Sequence, residues 1–462
     1  MPTLKLWTIA VVVAPAALFV VSARADDVGP GTSREKQMEK RIDDLERQLA
    51  EVNRKLASSG ANGAGDELEQ RVAELEKLTK KDADGLFAYW KNGLRMDSAN
   101  GAFKLRIGGR IQSDWSWFAN NQDFQDASGK QIEAGTEFRR ARLHVGGTMY
   151  KNVEFMAEYD FAGGAVGFRE VWIGLRPCGT GLLQVGSMKE PFGLEWLTSD
   201  LFTAFMERSS GNDALVPGYN TGIMWSDTFA EDRVAYAVGV FRDANDAGDD
   251  VGNANSGEYN FTGRVTGRPW IGDTPDQWFH LGVGASRRTP SNDSVQYKSR
   301  PELHLAPVMV DTGVIDAGSA VLWEGETAFS MGQFWASAEY FLTNMRAQDM
   351  RDPNFHAWNV QAGYFLTGES RPYNAKKGVF DRVTPKANLD DAGGSGAWEL
   401  AARYDVLDLN DAGVNGGKMK IVTLGVNWYL NPNTKVQLGW VHARVFDVGR
   451  LDGLEMRFQV DF

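Results

Sequence analysis

The sequence predicts an all-β fold, an antiparallel transmembrane β-barrel of about sixteen strands preceded by a short N-terminal α-helical coiled coil. Three observations lead to this fold class. The chain opens with an export signal, apolar and polar residues alternate from about Phe103 to the C-terminus, and short and long links separate the alternating segments. These patterns divide the chain into a signal peptide at 1–25, a periplasmic coiled-coil segment at 26–82 and a barrel domain at 83–462.

The first 25 residues have the three parts of a secretory signal. Lys5 supplies the positive start, Leu6 to Val21 form the apolar stretch, and Ala23-Arg24-Ala25 matches the small-x-small cleavage pattern. A membrane anchor is the alternative, but the apolar stretch is shorter than the roughly 20 residues of a spanning helix and contains Pro15. Later apolar runs are shorter than a membrane span, so we expect export to the Gram-negative outer membrane.

Composition limits the partners and the chemistry. The formal net charge is −12, and loss of the two cations Lys5 and Arg24 with the signal makes it −14, which argues against nucleic acid as a partner. A single cysteine, Cys178, excludes an intramolecular disulfide and a thiolate metal cluster. The five histidines, at positions 144, 280, 304, 356 and 442, lack metal-site spacing, and no G-x-S-x-G elbow or P-loop is present. We therefore expect no cofactor and no enzymatic activity.

The segment after the signal has the apolar spacing of a coiled coil. Steps of four and three residues separate its apolar side chains, Met38, Ile42, Leu45, Leu49, Val52 and Leu56. A weaker run at Leu68, Val72 and Leu75 follows a break rich in Ser, Gly and Ala. So few heptads need partner helices, which favours an oligomer. The alternative is a solvated linker helix that packs on nothing.

From about Phe103 onward the hydrophobic period is two, as in strands with one apolar face. The pattern assigns Leu143 and Phe155 to one face and Arg142 to the other, and it continues through Leu454–Phe462 at the C-terminus. A β-sandwich also alternates. Segments of about nine to twelve residues, however, match the tilted span of a bilayer. Aromatic residues near segment ends resemble the girdles of a barrel: Trp115, Trp117, Trp278, Trp428, Tyr429 and Trp440.

The links between segments alternate in length. Short ones lie at Lys151-Asn152, Pro177 to Gly181 and Asn431-Pro432-Asn433, and long ones at Asn120–Thr136, Ala244–Glu258 and Glu369–Gly396. Outer-membrane barrels have short periplasmic turns and longer extracellular loops. The pattern therefore predicts that these three long links lie on the extracellular side.

Four strings carry a resemblance to a known family: KEPFGLE at Lys189–Glu195, FMERS at Phe205–Ser209, WELAARYDVLDLN at Trp398–Asn410 and LGVNWYLNP at Leu424–Pro432. Through them residues 101–462 resemble the phosphate-selective porin O and P family. The resemblance implies a homotrimeric, sixteen-stranded channel whose third long loop, here 189–220, folds into the lumen. It also implies an aromatic C-terminal residue, Phe462, that assembly machinery recognises, and a preference for anions such as phosphate or polyphosphate.

An anion path needs cations along the lumen, because charge-assisted hydrogen bonds offset the desolvation of a phosphate. Several weak sites in series would allow conduction. The candidates lie on polar faces or match the family motifs KEPF and MERS, and they are Arg106, Arg110, Arg140, Arg142, Lys189, Arg208, Arg264, Arg268 and Arg403. The alternative role for each arginine is a structural pair with a lumen carboxylate such as Glu154, Glu158 or Asp160.

The sequence thus predicts a passive outer-membrane channel for small hydrophilic solutes, with lipid, small anions and identical subunits as its partners. Two alternatives come from other classes. One is a tether whose coiled coil contacts the cell wall while the barrel serves as an anchor. The other is an outer-membrane hydrolase built on Ser209, Ser210 and Asp213, although hydroxyls in a Gly-rich loop are more often turn formers.

Overall fold

The computed structural model describes residues 85–129, 131–177, 180–248, 259–290, 293–390 and 393–462. They belong to one compact unit, Ala83–Phe462. The predicted signal peptide, the coiled-coil segment and Cys178 lie outside the described residues. Within the described ranges, no helix has the length and apolar character needed to cross a membrane.

A short hairpin, β1 (Leu86–Trp90) and β2 (Leu94–Ser98), comes before the main sheet. Sixteen antiparallel strands of the described chain then form a closed ring. In chain order they are β3 (Lys104–Ala119), β4 (Gly135–Met149), β5 (Val153–Asp160), β6 (Gly167–Leu175), β7 (Leu182–Lys189), β8 (Tyr219–Phe229), β9 (Val234–Arg242), β10 (Asn260–Ile271), β11 (Gln277–Arg288), β15 (Ile315–Met331), β16 (Phe334–Ala347), β17 (Asn354–Phe365), β20 (Ala397–Asp411), β21 (Val414–Asn431), β22 (Thr434–Val445) and β23 (Gly449–Asp461).

The remaining elements are short and lie in the links. They are helices α1 (Gln122–Ser128), α2 (Leu194–Leu197) and α3 (Ser210–Leu215), a 3-10 turn at Ala162–Gly164, and strands β12 (Ser294–Val295), β13 (Lys298–Ser299), β14 (Val310–Asp311), β18 (Tyr373–Asn374) and β19 (Val379–Phe380). The ring closes where β23 pairs with β3, from Asp452 opposite Ala119 to Asp461 opposite Arg110. The predicted barrel of about sixteen strands is therefore confirmed.

The alternation of faces follows the sequence pattern. On β4, Leu143 is 51% exposed on the outer wall while Arg142 is buried in the lumen. On β3, Ile111 is exposed and Gln112 is buried. A barrel in a bilayer presents its apolar side chains to lipid and its polar ones to the interior, which reverses the arrangement of a soluble protein.

Two of the aromatic residues assigned to girdles lie elsewhere. Trp115, Trp117 and Trp440 are exposed on the outer wall, as predicted, but Trp278 and Tyr429 are only 2% and 5% exposed and face the lumen. Both occupy inward positions of their strands, β11 and β21. The prediction of girdle positions was therefore wrong for Trp278 and Tyr429. It relied on nearness to a strand end, whereas the alternation of faces along each strand decides whether a ring lies outside or inside.

One long link lies at the opposite end from the one predicted. Residues 366–396 connect β17 to β20 at the end of the barrel that carries the short turns, where Phe365 donates to Gln333 O and Leu389 donates to Leu430 O. We call this end the turn end, the other the loop end, and residues 366–396 the turn-side insertion. Its apolar residues Val379, Phe380 and Val383 are buried inside the barrel, where they belong to a cluster with inward residues of the wall.

Two apolar clusters fill part of the lumen. One joins the turn-side insertion to Leu194 and Phe205 of the β7–β8 link and to inward residues such as Trp335. The other contains Leu215 of the same link, Leu303 of the β11–β15 link and inward residues of β20 to β23. The β7–β8 link, residues 190–218, is the third link at the loop end, and it folds into the lumen as the resemblance implied. We call it the inserted loop.

The hairpin of β1 and β2 was not expected from the sequence. Its second strand pairs with the start of β3, from Leu94 opposite Ile107 to Asp97 opposite Lys104. It lies beneath the end of β23, since Gly109 of β3 exchanges both backbone hydrogen bonds with Phe462. The hairpin thus extends the wall at the turn end.

Candidate functional site: a charged constriction beside the inserted loop

The inserted loop is held in the lumen by buried apolar and polar contacts. Phe192 and Leu194 are fully buried, and the Ser209 hydroxyl accepts from Asn212 N at the start of α3. Inward side chains of the wall bind its backbone: Lys435 Nζ donates to Thr203 O at 2.9 Å, and Asp405 accepts from Ser210 N at 2.6 Å. These contacts narrow the lumen to one side of the loop.

A cavity of about 200 Å³ remains between the inserted loop, the β4 wall and the β11–β15 link. Charged groups dominate its lining. Its cations are Arg139, Arg140, Arg142, Arg169, Arg208 and Arg300, its carboxylates are Asp200, Glu207, Asp213 and Glu302, and the remaining lining includes Trp196, Tyr219 and His304. Six arginines against four carboxylates give the lining a formal charge of +2 with His304 counted as neutral. We call this cavity the constriction.

Asp200 of the inserted loop is the centre of an arginine cluster on the wall. Its carboxylate lies 2.7 Å from Arg110, 3.1 Å from Arg140 and 3.3 Å from Arg142. Arg110 and Arg142 also bind Glu158, at 2.6 and 3.2 Å. Burial by itself would raise the pKa of Asp200, but the charges of the three arginines lower it well below its usual range. The carboxylate is therefore ionised and fastens the loop to the wall.

Glu207 makes a second fastening point. Arg139 donates two hydrogen bonds to its carboxylate, both at 2.9 Å, and Arg457 of β23 donates a third at 2.9 Å. Arg457 is fully buried and also holds Asp114 in a two-pronged pair. Burial would raise the pKa of Glu207, whereas Arg139 and its arginine neighbours lower it well below its usual range.

Arg403 links three segments of the chain. From β20 it reaches Glu195 of the inserted loop at 2.9 Å, the carbonyl of Glu207 at 3.0 Å, and Glu302 of the β11–β15 link. Its guanidinium also lies over the Phe205 ring. Every donor group of Arg403 is thus committed to contacts within the protein, so its position is that of a structural link between loop and wall.

Four predicted cations have no carboxylate within ion-pair distance in the described chain: Arg106, Lys189, Arg208 and Arg268. Two of them, Lys189 and Arg208, lie against Trp196. Lys189 Nζ donates to the carbonyl of Trp196 at 2.5 Å and lies 5.0 Å from the centre of its ring. Arg208 donates to the carbonyls of Glu195 and Thr198 at 3.0 and 2.9 Å, and its guanidinium lies 4.8 Å from the same ring. Arg208 also lines the constriction, whereas Lys189 does not, so the charge that remains available to an anion in this cavity is that of Arg208.

Of the nine predicted cations, only Arg140, Arg142 and Arg208 belong to the lining of the constriction, and three lie away from it and from the contacts described above. Arg106 is half-buried on β3, and no carboxylate of the described chain hydrogen-bonds to it. Arg264 on β10 binds Glu326 at 2.5 Å and the carbonyl of Gly378 in the turn-side insertion at 2.7 Å. Arg268 donates to a backbone carbonyl of the β8–β9 turn and lies over Tyr373.

Two arginines of the constriction, Arg139 and Arg169, were not predicted from the alternation of faces because they lie at β-bulges. The register between β3 and β4 shifts at Gln112, which pairs with Arg140 while the next residue pairs with Phe138, so Arg139 is the extra residue. A similar shift between β5 and β6 falls next to Arg169. A bulge breaks the strict alternation and turns an additional side chain toward the lumen.

One cluster in the described chain has metal-ligand geometry. Carboxylate oxygens of Glu324, Glu326 and Glu339 lie within 4.8 Å of one another on β15 and β16. Arg264 lies 2.5 Å from Glu326 and 3.7 Å from Glu324, and His280 lies 2.8 Å from Glu326. The guanidinium of Arg264 therefore supplies the positive charge that a metal ion would otherwise bring to these carboxylates.

Comparisons with known proteins agree with this architecture. The family model described as phosphate-selective porin O and P matches residues 105–462. Porin O of Pseudomonas aeruginosa is 28% identical over 407 residues, which cover 79% of this chain and 88% of that protein. An uncharacterized protein of Caulobacter vibrioides is 31% identical over 349 residues, 73% of this chain and 68% of that protein.

Among solved structures, an anion-selective porin from Comamonas acidovorans aligns with 78% of this chain and 100% of its own, with a TM-score of 0.52 at 14% identity. At that identity the likeness concerns the fold alone. It matches the closed barrel described above.

Proposed function

Because the chain belongs to the phosphate-selective porin O and P family, we propose that it is a passive outer-membrane channel that favours small anions, with inorganic phosphate as the leading solute. Family and barrel fold are those of outer-membrane channel proteins. The anion preference rests on the constriction, whose lining contains six arginines and four carboxylates. Selectivity follows the charges that line the lumen rather than the net charge of −12 of the whole chain.

The single observation that carries the proposal is that Arg208 lines the constriction and has no carboxylate within ion-pair distance in the described chain. Most lumen arginines are neutralised by carboxylates at 2.5 to 3.3 Å, whereas Arg208 binds backbone carbonyls and the Trp196 ring. An arginine fork beside a cavity can exchange water for phosphate oxygens. Since Arg208 retains these contacts, binding stays weak enough for the anion to leave again.

The test is single-channel recording of the purified chain in a planar bilayer under a potassium chloride gradient, followed by titration with phosphate. We expect a reversal potential that indicates anion preference, and a current that phosphate reduces. Arg208→Gln should move the reversal potential toward cations and weaken the phosphate effect. Arg346→Gln is the matched control, because Arg346 lies exposed on the outer wall and carries the same charge.

Cation preference in the unmodified chain, or equal shifts for Arg208→Gln and Arg346→Gln, would exclude the constriction as the origin of anion selectivity. Anion preference without any effect of phosphate would keep the channel and reject phosphate as its solute.

We extend the proposal to a homotrimer in the outer membrane. Strands β5 and β7 have only eight residues each, and β6 between them has nine, while a tilted strand needs roughly 9–11 residues to cross a bilayer. Along these strands the barrel wall is shorter than the hydrocarbon layer, so lipid would reach the rim of the lumen. Contact with another copy of the chain would cover this part of the wall. Chemical cross-linking of the protein in native membranes should therefore give trimers, and a monomer under those conditions would contradict this part of the proposal.

A further inference from the structure

Three cations form one row across the outer wall near the loop end. Lys420 on β21 lies directly opposite Arg444 on β22, and Arg444 lies directly opposite Arg450 on β23. Their chain neighbours Ile421, Ala443 and Leu451 are buried in the lumen. Because side chains alternate along a strand, the three cations face outward. We call them the cation row.

Like charges directly opposite one another on adjacent strands are destabilising, and the described chain offers no acid within ion-pair distance to offset them. Two nearby acids have other partners, since Lys418 binds Asp408 at 2.7 Å and His442 binds Asp452 at 2.7 Å, and the exposed Asp447 has no ion pair in the described chain. Other outward arginines near the loop end have uncharged cross-strand partners, as Arg287 opposite Val321 and Arg346 opposite Ser319.

An aromatic ring aligns two members of the row. Lys420 Nζ lies 5.3 Å and the Arg444 guanidinium 5.0 Å from the centre of the Phe446 ring, which belongs to the link after β22. Cations over a ring face are attracted to it even at an exposed site. Phe446 therefore holds two positive heads close together, where mutual repulsion alone would spread them apart.

The height of the row is set by the apolar band beneath it. Trp440, four residues before Arg444 on β22, is exposed on the outer wall, and its cross-strand partners Leu424 and Leu454 are exposed beside it. Four residues span about 14 Å along a strand, or about 10 Å of height at the tilt of a barrel. Tryptophan marks the boundary of the hydrocarbon, so the row lies in the headgroup layer of the leaflet at the loop end.

We propose that Lys420, Arg444 and Arg450 bind the phosphate groups of a lipid headgroup in the outer leaflet. Two strand spacings make the row about 10 Å wide, enough for a headgroup that carries two phosphates. Arginine forks and a lysine ammonium supply charge-assisted hydrogen bonds to phosphate oxygens. The acyl chains of the same lipid would lie on the exposed Leu424, Trp440 and Leu454. This site is on the outside of the barrel and does not depend on which solute crosses the lumen.

The experiment measures binding of a bisphosphorylated diglucosamine lipid to the purified full-length protein in detergent, by native mass spectrometry. The variant Arg444→Gln/Arg450→Gln removes two members of the row, and Arg287→Gln/Arg346→Gln removes two outward arginines that have no cationic partner. We expect the first variant to bind the lipid at least about tenfold more weakly and the second to bind it like the unmodified protein. The lipid without its phosphates should bind the unmodified protein as weakly as the first variant does.

Several results would overturn the proposal. One is equal loss in both double variants, which would indicate general attraction to a positive wall. Another is undiminished binding of the lipid without phosphates, and a third is competition by millimolar inorganic phosphate alone, which would point to a free anion. A change of subunit number in the first variant with unchanged lipid binding would assign the row to a subunit contact. The shift in gel mobility on heating shows whether each variant is folded. The variant Arg444→Lys keeps the positive charge and should retain most of the lipid binding.

Discussion

The arginine cluster around Asp200 allows a quantitative test of how the inserted loop is held. In the variant Asp200→Asn, Arg110 and Arg142 keep Glu158 as a partner. Arg140 loses the carboxylate at 3.1 Å and keeps only its hydrogen bond to Gln112 at 2.8 Å. Removal of one partner from a buried ion pair costs about 3–5 kcal/mol. We expect the lower value, about 3 kcal/mol, because one of the three arginines is left without a carboxylate.

That loss should act on the loop rather than on the barrel. The apolar clusters around Leu194 and Leu215 and the bonds of Arg403 remain in the variant. The barrel wall consists of backbone ladders that Asp200 does not enter. The constriction also gains one net positive charge, so anion preference should increase while the current becomes noisier as the loop opens more often.

The measurements are the reversal potential under a potassium chloride gradient and the rate of protease cleavage within residues 190–218. Asp349→Asn is the matched control, since Asp349 is exposed in the β16–β17 link. If Asp200→Asn leaves both the reversal potential and the cleavage rate at the values of this control, Asp200 does not hold the loop and the assignment of the cluster is wrong.

Three further outcomes are expected. Leu143→Arg should cost about 2–4 kcal/mol of folding free energy in urea titrations if position 143 lies near the bilayer midplane, whereas Leu143→Gln should cost less. Because the folded pKa of Asp200 lies well below its usual range, its stabilising contribution is complete above about pH 3.9 and is lost only as pH falls through the lowered value. The difference in conductance between the unmodified chain and Asp200→Asn should therefore persist from pH 7 to about pH 4, and loss of this difference near pH 5 would contradict the assignment. Phe380→Ala should free the turn-side insertion, since a buried Phe to Ala change costs about 3–5 kcal/mol, and single-channel conductance should rise without loss of heat-shifted mobility.

Several of the charged residues in and around the constriction could be predicted from the sequence. Arg110, Arg140 and Arg142 lie on the lumen side because strand periodicity decides facing, and Lys189 and Arg208 lie near the cavity because the family motifs mark the inserted loop. Arg139 and Arg169 were missed, since a bulge cannot be recognised from alternation that it interrupts. Asp200 and Glu207 were missed as partners because they lie far from the wall arginines in sequence.

The sequence alone determined the class of protein and the direction of its faces. A period of two over many segments depends only on which residues meet lipid and which meet water, and that is a local property of each strand. It therefore placed Leu143 outside and Arg142 inside before any contact was known.

Only the tertiary structure decided which charges neutralise each other and which remain free. The arginines of the lumen differ little in sequence, yet Arg403 is bound on every side while Arg208 holds only backbone carbonyls and a ring. The same is true of the 366–396 link, whose length predicted an extracellular loop and whose apolar residues fill the turn end of the lumen. Such pairings join residues far apart in the chain, so they depend on ring closure and strand register, which no local pattern records.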